Sequence, residues 1–210
     1  IYDFIINILA ASFADDYYNQ WYIKPIFDGK YPEILQELPD NCHPEIHPGD
    51  MEIISHSVDF LGINFSTRSV YKASDDDYFE ELPATGKLTD IGWEVYPQAF
   101  TELLQSLNER YDLPPIYITE NGAAINDKIV DNEVVDQDRI DYYQEHLLAV
   151  NDAIESGVNI QGYFAWSLMD NFEWAEGYLK RFGIVYVDYE SQIRTIKNSG
   201  HAYKTLISNR

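Results

Sequence analysis

The stretch Ile116-Tyr117-Ile118-Thr119-Glu120-Asn121-Gly122 decides the fold. Ile116 to Thr119 are all β-branched or aromatic, which predicts a buried strand, and an acid, an amide and a glycine then stop it. Upstream, Pro97 stands where a first helical residue belongs, and Phe100, Leu103, Leu104, Leu107 and Tyr111 recur at helical spacing as far as Pro114. Before that helix, Val58 to Phe65 is an apolar run that predicts a strand buried on both faces. Downstream, Asp138 precedes Ile140, Tyr143, Leu147, Val150 and Ile154, a helical stripe that Gly157 closes. A third strand, Gly162 to Ser167, follows directly. Strands separated by helices at this rhythm make βαβ crossovers, which require a parallel sheet covered by helices.

The flanks are less regular. Ser12 to Tyr31 holds Trp21, Tyr22, Ile23, Ile26 and Phe27, with Pro25 and Gly29 near its end, and reads as a helix followed by a turn. Glu37 to Asp50 is rich in turn formers and reads as a surface loop; its Cys42, His43 and His47 have no second ligand pair nearby, so no metal is expected. The acidic stretch Ser74 to Leu82 reads as a solvated loop. Past Trp174, Ile184–Val187 and Ile193–Thr195 suit a short hairpin, and a last helix is expected from about Asn198 to Ile207. Without repeats or a low-complexity linker, the 210 residues read as a single domain or part of one.

Composition narrows the function. With 36 Asp and Glu against 14 Lys and Arg, the net charge is −22, which excludes a nucleic-acid or anionic-membrane surface built on clustered cations. A hydrophobic fraction of 45% with 15% aromatics supports a packed core rather than disorder. The single cysteine, Cys42, cannot form an intrachain disulfide, so a cytoplasmic location is expected. No apolar run approaches the ~20 residues of a membrane span. The opening Ile1 to Ala14 carries Asp3 and Asn7, and no Lys or Arg precedes Lys24, so it lacks the basic region of a signal peptide. Beginning without Met, the chain reads as a processed product, a fragment or a reading frame cut at its front.

Each strand ends in polar or aromatic residues: Asn64, Ser66 and Arg68 after the first, Glu120 and Asn121 after the second, Trp166, Asp170, Asn171, Glu173 and Trp174 after the third. Where parallel strands form a barrel, their carboxyl ends carry the active site, so these clusters should converge. Taken alone, Glu120 suits a nucleophile, a general base or half of a structural ion pair. Its company favours a sugar cleft. Trp166 and Trp174 offer flat faces to a pyranose ring, while Glu173 and Asn121 offer hydrogen bonds to hydroxyls.

Tyr117-Ile118-Thr119-Glu120-Asn121-Gly122, then Trp166 through Trp174, Gly177-Tyr178 and Arg181-Phe182-Gly183 together resemble the C-terminal half of family 1 glycoside hydrolases, the β-glucosidase and β-galactosidase type. Lesser signatures lie in the same order: Trp21 to Pro32, Gly62-Ile63-Asn64, Gly92-Trp93, and Arg139-Ile140 with His146-Leu147. The similarity runs from about Ser12 to the end, residues 1–11 being atypical. It implies an α/β fold, a partial (β/α)8 TIM barrel comprising roughly the last three βα units, and a retaining mechanism with two carboxyls about 5–5.5 Å apart. Glu120 matches the nucleophile. Trp166, Glu173, Trp174 and Phe182 match the subsite for the terminal sugar, with Asn64 and Asn121 nearby and Trp93 toward the aglycone. A carboxylate at Glu173 repels a 6-phosphate and accepts bonds from free hydroxyls, so unphosphorylated β-D-glucosides or β-D-galactosides are the expected ligands, with no cofactor.

Two departures bear on activity. The family's acid/base Glu belongs to an Asn-Glu-Pro motif, whereas the Asn-Glu pairs here, Asn108-Glu109 and Asn132-Glu133, are followed by Arg and Val. Ser66 stands where the family places a Tyr that touches the nucleophile. The chain alone is therefore expected to hydrolyse little or nothing, and to need a complementing N-terminal half or a second copy. The alternative is a non-catalytic half-barrel that self-associates and binds sugar weakly or not at all.

Overall fold

The structure is a computed structural model and describes residues 2–209. Its elements run α1 (Tyr2–Asp15), α2 (Trp21–Asp28), α3 (Asp50–Ile54), β1 (Leu61–Phe65), β2 (Val70–Lys72) and β3 (Glu80–Leu82). There follow α4 (Pro97–Arg110), β4 (Ile116–Asn121), α5 (Gln137–Glu155), β5 (Ile160–Ala165), β6 (Val185–Val187), β7 (Arg194–Ile196) and α6 (Asn198–Ser208). Contacts divide the chain into two compact units. No helix among the described residues is long and apolar enough to cross a membrane.

One unit comprises Ile1–Asp59, Ser69–Ala84 and Glu109–Leu113. Here α1 passes through a π-helical turn, Asp16–Gln20, into α2, and Gly29 ends the run at φ 66°, a left-handed conformation open to glycine. The expected loop Ser74 to Leu82 is corrected at its end. Glu80–Leu82 forms β3, antiparallel to β2, because its charges are matched across the pair: Lys72 and Glu80 face each other and form a 3.0 Å salt bridge.

The other unit comprises Phe60–Arg68, Thr85–Asn108 and Pro114–Arg210. Its centre is a parallel sheet in the order β1-β4-β5, with α4 and α5 as the connections. One face packs on helices. Phe65 stacks on Phe100 at 4.3 Å between ring centroids, and Tyr163 and Ala165 pack against a cluster holding Tyr142 and Tyr143. The opposite face is uncovered. The expectation that Val58 to Phe65 is buried on both faces therefore fails: β1 starts at Leu61, only Ile63 and Phe65 are buried, and Phe60 is 56% exposed.

The stripe predicted for α5 is also rotated. The buried residues are Arg139, Tyr142, Tyr143, His146, Ala149, Val150 and Ala153, whereas Ile154 is exposed. Arg139 faces inward because Asp127 and Asp136 meet it there, and His146 because its ring packs among Phe65, Phe100 and Tyr142. The hairpin β6–β7 and the closing helix α6 form as expected.

Candidate active site at the carboxyl ends of the parallel strands

Strict alternation along β4 would put Glu120 on the same side as Ile116 and Ile118, among the helices. A bulge prevents this. Ile63 pairs with Ile118 and Asn64 with Glu120, so Thr119 is an extra residue on β4. Two residues then face one across the ladder, and Glu120 returns to the open face beside Thr119 while Asn121 turns inward. Thr119 donates through Oγ1 to Asn64 Oδ1 at 2.6 Å, fixing the exposed amide next to the Glu120 backbone.

The loop after β5 meets this corner closely. The Trp166 amide donates to the Asn121 carbonyl at 2.8 Å, and Tyr143 donates through its hydroxyl to the Trp166 carbonyl at 3.0 Å. A Cβ on Gly122 would stand 1.7 Å from that carbonyl oxygen, so only glycine allows the two backbones to meet. The loop carries Glu173 into range of Glu120. Burial, then the charge of Glu120 and that of Glu176, pushes the Glu173 carboxyl above its ordinary value. The two acids thus share one electrostatic environment at the carboxyl end of the sheet.

Three expected contact residues differ in burial. Asn121 is fully buried: its amide nitrogen donates to the Phe65 carbonyl and the Tyr142 hydroxyl, and its oxygen accepts from the Tyr163 hydroxyl at 2.5 Å. These bonds commit its amide to the fold. Phe182 is 3% exposed and packs on Trp93, with ring centroids 5.8 Å apart, so it backs the half-buried Trp93 rather than offering a face of its own. Trp174 is 84% exposed. It starts a 3-10 turn closed by the Glu173 amide on the Gly177 carbonyl. Of the two expected indole walls, Trp166 is the half-buried one.

A buried ionic network anchors the loop, and sequence reasoning missed most of it. Asp170 accepts from Lys197 at 2.8 Å, from Arg181 at 2.5 Å and from the Gly183 amide at 3.0 Å. Asp127 takes both terminal nitrogens of Arg139, at 3.0 and 2.7 Å, and also Lys197 at 2.5 Å. Asp136 pairs with Arg139 and with the amide and hydroxyl of Ser199. Three carboxylates thus meet three cations with no net charge left over. Burial and the Arg139 charge push the Lys197 ammonium below its ordinary value, against the pull of Asp170 and Asp127. The available signal was the run of acids between strands, but nothing in their spacing names their partners.

Other polar groups stay local. Arg68 donates to Glu94 at 2.7 Å and lies over the Tyr96 ring. Its bond and two backbone amides hold the Glu94 carboxyl below its ordinary value. Ser66 is half-buried, and its carbonyl accepts from the Tyr142 hydroxyl at 3.3 Å. Among the described residues no group of three His, Cys, Asp or Glu gathers as a metal site.

Residues 6–210 match the sequence profile of Glycosyl hydrolase family 1, so the match opens inside the segment 1–11 expected to lie outside it. The Beta-glucosidase of an Agrobacterium species is 47% identical over 209 residues, covering 96% of this chain and 45% of that relative. Beta-glucosidase A of Thermotoga maritima is 42% identical, covering 97% of this chain and 46% of the relative. Among solved structures, virulence factor SghA of Agrobacterium tumefaciens superposes with a TM-score of 0.93 at 45% identity, over 97% of this chain and 46% of that one. The chain spans about half the length of the curated relatives it matches.

Proposed function

This chain belongs to glycosyl hydrolase family 1, and from that premise we propose that it carries the nucleophile side of a retaining β-glycosidase acting on unphosphorylated β-D-glucosides or β-D-galactosides. In this reading β1, β4 and β5 are the last three strands of a (β/α)8 barrel. Glu120 attacks the anomeric carbon, forming a carbon–oxygen bond as the glycosidic bond breaks; water then displaces the sugar from Glu120. Asn64, Trp166 and Glu173 hold the ring. The leaving oxygen needs a proton from an acid outside these 210 residues, which contain no Asn-Glu-Pro.

The observation that carries the reading is the bulge at Thr119, which turns Glu120 onto the open face within electrostatic reach of Glu173. Bulges next to active sites re-aim a side chain in this way. The names of the relatives, β-glucosidases, agree with that chemistry.

A substrate with a very good leaving group bypasses the missing acid. Incubation with dinitrophenyl 2-deoxy-2-fluoro-β-glucoside should leave a fluoroglucosyl ester on Glu120, read by mass spectrometry of the peptide containing it. The Glu120→Gln chain should take no label, and the 6-phosphorylated reagent should give none. Labelling of a different carboxylate would overturn the assignment. With ordinary glycosides the chain alone should run about 10²–10⁴-fold slower than when a general acid is supplied.

A second reading, a self-associating chain without turnover, is favoured by the uncovered sheet face. Phe60 and Phe164 are 56% and 57% exposed there. Loss of association in a chain that still takes the label would dismiss it.

A further inference from the structure

A second hollow, of about 760 Å³, lies in the unit that does not contain Glu120. Its volume is in the range of ligand sites. The helical run supplies Phe13, Tyr17, Tyr18, Trp21 and Tyr22, and the segment before β3 supplies Tyr78 and Phe79. The π turn over Asp16–Gln20 matters here. Single π turns inside helical runs are frequent at functional sites.

The rings hold one another in place. Tyr78 stacks on Phe13 at 4.6 Å, and Phe79 lies 6.0, 6.5 and 5.8 Å from Phe13, Tyr17 and Tyr18. A rigid base therefore forms before any ligand arrives. Tyr17, Tyr18, Tyr22 and Tyr78 remain largely exposed, and the hydroxyls of the first three make no hydrogen bond to a described residue. From Phe13 to Tyr22 the strip is ~13 Å long at the helical rise per residue, the length of a short oligosaccharide rather than one sugar. Flat faces with free hydroxyls at the rim suit the alternating C–H and O–H surfaces of a pyranose.

Charge selects among ligands. Asp77 lines the hollow, and Asp15, Asp16, Asp75 and Asp76 are its sequence neighbours. Asp15 is paired with Arg110, so the run Asp75 to Asp77 sets the field, which disfavours phosphates, uronic acids and a second copy of a chain carrying −22. A quaternary ammonium would accept the field but is too small to span the strip.

We propose that this hollow binds an uncharged oligosaccharide of pyranose rings, with successive rings laid along Tyr18, Tyr22 and their neighbours. The inference stands apart from the role of Glu120. Calorimetry on the Glu120→Gln chain, in which no ligand is consumed, tests it with glucose, cellobiose and cellotriose. Affinity should rise with chain length. In that background the pair Tyr18→Ala and Tyr22→Ala should weaken cellotriose about tenfold or more, while Tyr18→Phe with Tyr22→Phe keeps most of the stacking. Both sites are exposed, and far-UV circular dichroism should match the parent. Adding Trp166→Ala removes the ring face beside Glu120, and the binding that remains should still rise with chain length. Affinity that ignores chain length, survives the alanine pair, or is competed away by tetramethylammonium would overturn the proposal.

Discussion

His146 is sealed inside the second unit, stacked on Tyr142 at 3.8 Å and flanked by Phe65 and Phe100. Its Nδ1 lies 2.8 Å from the Tyr142 carbonyl, which only accepts, so Nδ1 carries the proton; Nε2 has no partner. Burial accordingly lowers its pKa from 6.5 to about 4. The neutral ring is what the fold accommodates, so the unfolded chain binds the extra proton first. Stability from this residue is complete above about pH 6.5 and is lost as pH falls toward about 4, a change of about 3 kcal/mol. Urea unfolding of the chain and of His146→Phe across that window should give curves that converge as pH falls; a constant gap would contradict it. The same scale shows what a sequence can tell. The strand end at Glu120 was legible in the string, because the apolar run stops there at an acid, an amide and a glycine. The fate of Asn121 was not, because one bulged threonine decides which way each residue beyond it points. The exposure of Trp174 was not legible either, because it depends on the tight turn that begins at that residue.

At the scale of elements, the parallel sheet follows from the alternation of strands and helices, and so do the lengths of α4 and α6 to within a residue or two. The face of α5 does not, because hydropathy counts Arg139 and His146 as surface residues. Their burial depends on acids supplied by a loop and on rings supplied by β1 and α4, and no window along the helix contains that information. The ionic network ties the loop after β4, the start of α5, the loop after β5 and the start of α6 into one piece. Ion pairs of this kind add little over apolar packing, but removing one member strands the others without water. Asp170→Asn keeps the shape and deletes the charge that faces both Lys197 and Arg181. It should cost about 3–5 kcal/mol in urea unfolding. It should also loosen the Trp166–Glu173 loop, read as faster amide exchange there than in β1. A loss near zero would mean that water or a rotated side chain satisfies the two cations.

For the molecule as a whole, two opposing terms decide whether it stays alone. The uncovered sheet face places Phe60 against Tyr117, edge to face at 5.6 Å, with Phe164 exposed on the neighbouring strand, and β1 and β5 are open edges of the sheet. Hiding the exposed part of each phenylalanine is worth about 1–2 kcal/mol, and an open strand edge invites pairing. Against this stands a charge of −22, repeated on every copy. The range of that repulsion depends on salt, falling from about 8 Å at physiological ionic strength to about 3 Å at 1 M, whereas apolar contact does not weaken. Association should therefore strengthen as sodium chloride is raised, visible as a growing mass by light scattering. Phe164→Ser should lower it at every salt concentration without changing the helical signal. A mass that stays at 24.4 kDa in 1 M salt at high protein concentration would show that the face is covered from within the chain, and the second reading of its function would go with it.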